Sequence, residues 1–331
     1  MTLADLAAFA ALAGLMVYAV TGGADFGGGV WDLLATGPRA REQRKTIEHA
    51  LAPIWEANHV WLIFVVVVMF TAFPLAYSVA SISLHIPITV LLLGIVLRGS
   101  AFVFRQYGSP DAATERRWGR VFAGASVIAP LFLGIIVGAV TSGDIRVVDG
   151  LPTTGYFAGW IGVFPLAVGL FTVSLFAFLA AVYLTLEAED EALREDFRRR
   201  AIAAGVAVAP CALVAALTAG PGTEHFATAF LHSPWTWPLQ GATALAAIGA
   251  LAALVTRRYR IARVLAVAQT LLILLGWALA QRPYLIAPDV TVENAASPAR
   301  TLGLMLIIVG ASATLLIPSL YVLFRVFKKV D

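Results

Sequence analysis

Residues 6–35 read LAAFAALAGLMVYAVTGGADFGGGVWDLLA, and the fold follows from how this stretch is read. As a helix it would be about 45 Å long at a rise of 1.5 Å per residue. A bilayer's hydrocarbon core is about 30 Å thick, so the stretch can cross it with a tilt or emerge beyond the headgroups. It is apolar up to Val20 and then carries Asp25 and Asp32, seven residues apart and so on nearly one face. Gly23 and Gly27 form a small-xxx-small pair that lets another backbone approach. No strand precedes these glycines and no Walker lysine follows them, which argues against a phosphate loop. The stretch before them lacks a basic n-region and a cleavage site, so it reads as a retained first helix rather than a signal peptide.

Comparable apolar runs recur along all 331 residues. Hydrophobic residues make up 60% of the chain and charged ones 13%, against about 25% charged in soluble domains. Mean hydropathy is +0.85. The pattern predicts an all-α integral membrane protein forming a single polytopic domain over 1–331. Helices are expected near 6–35, 49–72, 78–105, 119–142, 159–187, 198–219, 236–256, 261–281 and 299–326. That number permits two four-helix bundles plus one extra helix.

Loop charge tests the count. Twenty of the 23 Lys and Arg residues fall in the segments after helices one, three, five and seven, in the helix turns flanking them, or in the C-terminal tail, leaving Arg146, Arg282 and Arg300 on the other side. The excess marks the cytoplasmic side, so the N-terminus is expected outside and the C-terminus inside. The net charge of +3 comes without a dense basic run, which argues against a nucleic-acid partner. The single cysteine, Cys211, excludes an intrachain disulfide and a cysteine-rich metal motif.

Ionisable side chains inside such helices are costly and mark function unless they are paired. Besides Asp25, the run Trp55-Glu56-Ala57-Asn58-His59 places an acid and an imidazole three positions apart on one helix face. With helix two starting near 49, Glu56 lies one or two turns below the cytoplasmic boundary, a position suited to proton transfer. A structural ion pair with an arginine is the alternative. Ser81, His85 and Thr89 share a stripe on helix three, with Arg98 further along, and read as interhelical hydrogen-bonding groups. His59 and His85 are the histidines well inside predicted helices. They lie toward opposite faces, which disfavours a haem held by this chain alone. Prolines at 87, 130, 165 and 210 interrupt predicted helices, as they do in transporters, so a stand-alone transporter is a second reading.

Four segments together resemble subunit II of cytochrome bd-type terminal oxidases. They are AVTGGADFGGGVWDLL (19–34), APIWEANHVWLIF (52–64), LRGSAFVFR (97–105) and GWALAQRPYLIAPDVTVENAASP (276–298), spread over nearly the whole chain. The resemblance implies a non-haem subunit of an oxidoreductase complex in the bacterial inner membrane. It would pair with a haem-bearing subunit I that carries haem b and haem d, oxidises quinol and reduces dioxygen to water. It also implies a cytoplasmic proton path that includes Glu56, with Asp25 as the second acid of the first-helix motif. The shared helix face adds His59 to that path, and Trp55, Asn58, Asp32 and Arg98 are read as supporting residues. A structural quinone, bound lipid and a small accessory subunit are further expectations of the family. Catalytic and metal-binding residues are not expected on this chain. Where the usual motif carries its first acid, Gly22 stands here, and the second-helix acid is Glu rather than Asp. These departures leave a donor other than quinol as an alternative.

Overall fold

A computed structural model describes residues 2–51, 55–107 and 112–327. The first helix, α1, spans Leu3–Leu33 and is opened by a reciprocal cap. Asp5 N donates to Thr2 Oγ1 (3.1 Å) and Thr2 N donates to Asp5 Oδ2 (2.9 Å). Then follow α2 (Ala40–Leu51), α3 (Trp55–Ala72), α4 (Pro74–Ser83), α5 (His85–Tyr107) and α6 (Ala112–Thr141). The second half comprises α7 (Val163–Glu187), α8 (Glu191–Leu217), α9 (Glu224–His232), α10 (Thr236–Val255), α11 (Tyr259–Gln281) and α12 (Ala299–Phe327). Among the described residues eight helices are long and apolar enough to cross a bilayer, and nine if the bent pair α3–α4 is one span.

That bend, 117° between Asn58–Ala72 and Pro74–Ser83, falls between expected helices two and three, and the correction to helix three is a further break within it. Pro74 restricts Phe73 and opens α4, and a second break at Leu84 lets α5 begin only at His85. His85 is therefore an exposed terminal residue packed edge-on against Tyr156, not a side chain inside a helix, and Ser81, His85 and Thr89 form no continuous stripe. Residues 40–51, most of which were expected as a loop, form helix α2, and Glu56 is the second residue of α3. Pro87 and Pro165 sit in the first turns of α5 and α7, where the backbone N–H has no intrahelical acceptor anyway, so they interrupt nothing. Pro130 and Pro210 do lie inside helices. The short helix α9 was not anticipated.

α1, α3, α5 and α6 form one group, α7, α8, α10 and α11 a second, and α12 packs on α1 and α3. The groups meet where α7 lies along α1 and α6. Gly23, Gly27 and Trp31 form the contact face of α1. Gly23 lies under the Phe176 ring, Gly27 meets the Phe176 carbonyl and Ala180, and Trp31 Nε1 donates to Ala177 O at 2.7 Å. The glycine pair thus serves helix packing.

The loop 282–298 covers the end of the molecule at which α1 begins. It satisfies carbonyls left open at helix C-termini. Ser297 N and Oγ donate to Ala72 O and Thr71 O (both 2.8 Å), while Ala287 N and Gln281 Nε2 donate to Val140 O (3.0 and 3.1 Å). Asp289 fastens the loop to a two-stranded hairpin (Val147–Val148 with Leu151–Pro152). It accepts from Arg146 Nε (2.8 Å), Arg146 Nη2 (3.1 Å) and Val147 N (2.8 Å). Chiefly through the Arg146 hydrogen bonds, its carboxyl is held below the usual aspartate range. A depressed folded value means the contribution is fully present above the unfolded pKa of about 3.9 and is lost as pH falls through the folded value. Amide exchange at Val147 is therefore expected to be slow at neutral pH and to accelerate below about pH 4, with Asp289→Asn removing that step. Unchanged exchange in Asp289→Asn would show that the fastening contributes nothing.

Candidate functional site

Asp25 on α1 is 1% exposed and Arg98 on α5 is 2% exposed, and they form a two-pronged ion pair. Arg98 Nη1 donates to Asp25 Oδ2 at 2.8 Å and Nη2 to Oδ1 at 2.5 Å, while Nε donates to Ser126 Oγ at 3.0 Å. The guanidinium also lies against the Phe26 and Phe122 rings, 5.4 and 5.0 Å from their centroids. Gly29 makes the arrangement possible, because a Cβ there would strike Ser126. A planar fork matched to a carboxylate holds both charges at modest cost in a dry interior, where either alone would be very unfavourable.

A second rung lies seven residues on in both helices, about 10 Å along the axis. Arg105 of α5 meets Asp32 of α1 at 3.1 Å and Glu48 of α2 at 3.6 Å. Equal spacing on the two helices shows that α1 and α5 run in the same direction. Below it, toward the charge-rich end, Arg39 reaches Asp196 of α8 at 2.6 Å, and Gln43 donates to the same carboxylate at 2.9 Å. This end also gathers Glu195 with Arg198, Arg199 and Arg257.

His59 lies in α3, with its ring 5.8 Å from that of Phe26 and Nδ1 3.4 Å from the hydroxyl of Tyr18, a long hydrogen bond. Its Nε2 and the Nδ2 of Asn58 are buried and meet no partner among the described residues. Asn58 is 1% exposed. The side chains of Trp55 and Glu56, as well as Pro53 and the tail lysines 328 and 329, lie outside the described residues. The site expectations thus divide. Asp25 and Arg98 come together, Asp32 finds Arg105, and His59 and Asn58 stand beside the first turn of α3. Tyr18 and Ser126 were missed by sequence reasoning. A tyrosine seven residues before Asp25 in an otherwise apolar helix was the available signal for the first.

A cavity of about 380 Å3 adjoins the site between α1, α7, α11 and the end of α2, with Thr21, Asp25, Tyr183, Glu187 and Arg263 in its wall. The ring of His59 stands beside Tyr18 and Phe26 of α1, whereas that of His85 packs against Tyr156. No group of three or more His, Cys, Asp or Glu side chains gathers among the described residues.

The family model for cytochrome bd terminal oxidase subunit II matches residues 3–327. The chain belongs to that family. A Bacillus subtilis (strain 168) protein provisionally named cytochrome bd menaquinol oxidase subunit II is 24% identical over 95% of this chain and 92% of its own length. Subunit 2 of the cytochrome bd-I ubiquinol oxidase of Escherichia coli (strain K12) is 29% identical over 54% of this chain and 47% of its own. The fold matches a chain of the bd oxidase of Geobacillus thermodenitrificans with a TM-score of 0.82, full coverage of both chains and 22% identity. As a bd-oxidase subunit II, the chain is a multi-pass component of an oxidoreductase complex.

Proposed function

We propose that the chain pairs with a haem-bearing subunit I in a bacterial inner membrane and delivers cytoplasmic protons to quinol-driven dioxygen reduction. Reduction of dioxygen to water consumes a proton for each electron, so a buried oxygen site needs a proton supply. Glu56 takes up the proton, His59 passes it on, and the Asp25–Arg98 pair holds a fixed field beside them. The carrying observation is the pair of nitrogens, Asn58 Nδ2 and His59 Nε2, that are buried next to the turn that bears Glu56 and meet no partner among the described residues. Buried polar groups are nearly always hydrogen-bonded, and sites where they are not call for a functional account. The concentration of basic residues supports a cytoplasmic placement of the charge-rich end. The cavity beside α1 is suited to part of an isoprenoid or acyl chain, which supports a bound quinone or lipid there.

Glu56→Gln is expected to lower oxygen consumption of the purified complex about a hundredfold at neutral pH, with haem content unchanged. Glu56→Asp, which changes only reach, should retain part of the rate. A normal rate in Glu56→Gln would end this reading. The bidentate lock on Asp25 favours a second reading, in which the chain is a scaffold and its acids are fixed ion pairs. In that case Glu56→Gln lowers assembly and leaves turnover per haem alone.

A further inference from the structure

The motif that this chain resembles carries an acid where Gly22 stands, and the structure places something else in that space. The ring of Tyr18 lies over Gly22. A Cβ at position 22 would come 2.8 Å from Tyr18 Cε2 and 3.0 Å from Cδ2. Side chains are almost never that close, so an acid at 22 and this placement of Tyr18 exclude one another. The ring is fully buried, packs edge-on to Phe26 at 6.4 Å, and brings its hydroxyl 3.4 Å from His59 Nδ1. Phe26 closes a second side of the imidazole at 5.8 Å.

We propose that Tyr18 is a positioning residue that holds His59 by Nδ1, so that Nε2 becomes the nitrogen at which a proton comes and goes. Gly22 is the substitution that makes room for this pair. The inference rests on the proton-path reading above and adds to it a residue that the family motif does not contain. Nε2 is buried and meets no partner among the described residues, so it is the atom available for exchange. One proton arrives at Nε2 and the same nitrogen releases it. Tyr18 keeps its hydroxyl proton, and no electrons move. The second ring nitrogen sets which orientation and tautomer a functional imidazole adopts. The charges that face the imidazole are Asp25 of α1 and Arg98 of α5, bound to each other, and Glu56 precedes it by three positions on its own helix.

The test uses the whole complex, with oxygen consumption driven by a short-chain quinol from about pH 5 to about pH 9, the range over which imidazoles titrate. Tyr18→Phe removes one oxygen and keeps the ring. It is expected to lower turnover per haem roughly tenfold, the scale of losing a partner that orients a functional imidazole, and to shift the pH profile. Gly22→Ala, which displaces the ring, is expected to reproduce both effects. The double variant should be no worse than either single one, because both changes break the same contact. A parental rate and pH profile in Tyr18→Phe would overturn the proposal, as would additive losses in the double variant. Glu56→Gln run alongside separates the two ideas. A slow Glu56→Gln with a normal Tyr18→Phe removes only the tyrosine, whereas a normal Glu56→Gln removes the path itself.

Discussion

Arg98→Leu is expected to destabilise the protein by about 3–5 kcal/mol, because it leaves the carboxylate of Asp25 buried without its countercharge. Asp25 is 1% exposed, and the bonds to Arg98 are its short, paired hydrogen bonds. The loss should appear as a lower midpoint of thermal unfolding of the purified complex and a lower yield of assembled protein. Asp25→Leu combined with Arg98→Leu should recover most of the loss, since an apolar pair of similar volume replaces a buried ion pair at little cost. The recovery measures the coupling between the two sites. If Arg98→Leu is as stable as the parent, the pair holds nothing together. The double variant also bears on mechanism, for full turnover in it would leave the proton path without Asp25.

Gly27→Leu is expected to prevent α1 from seating on α7. Even Gly27→Ala should cost about 3 kcal/mol, the upper end of the overpacking range, because the obstacle is backbone and cannot rotate away. An added Cβ would meet the Phe176 carbonyl carbon at 2.5 Å and Ala180 Cβ at 2.8 Å. The contact joins the two helix groups, so the expected result is loss of folded protein, read from detergent-solubilised yield and unfolding midpoint. Gly124→Ala is the matched control. Nothing lies within 4 Å of a Cβ at 124, and alanine there should be neutral or stabilising by about 0.5–1 kcal/mol. Equal behaviour of the two alanine variants would show that the close approach at Gly27 contributes nothing.

The spans at 236–256, 261–281 and 299–326 were read from sequence to within a few residues of α10, α11 and α12. Their charge boundaries and apolar lengths are local properties. The reading failed where apolarity is continuous and only the backbone changes direction. Residues 78–105 were read as one helix, yet Leu84 divides them between α4 and α5. It failed again at α2, whose polar composition resembles a loop. At the site, Asp25, Arg98, His59 and Asn58 were singled out because a bilayer penalises such side chains. Their partners were not identified.

By itself the sequence determined that this chain spans a membrane many times, which residues in it need explanation, and which family it resembles. Transfer of apolar segments from water is a local free energy, additive along the chain, and motifs are contiguous. Only the tertiary structure decided that Asp25 is bound to Arg98, 73 residues away, and that Tyr18 rather than an acid fills the space over Gly22. Those facts depend on how helices rotate and approach one another. That geometry is set by the summed packing of many side chains and is written in no single stretch of sequence.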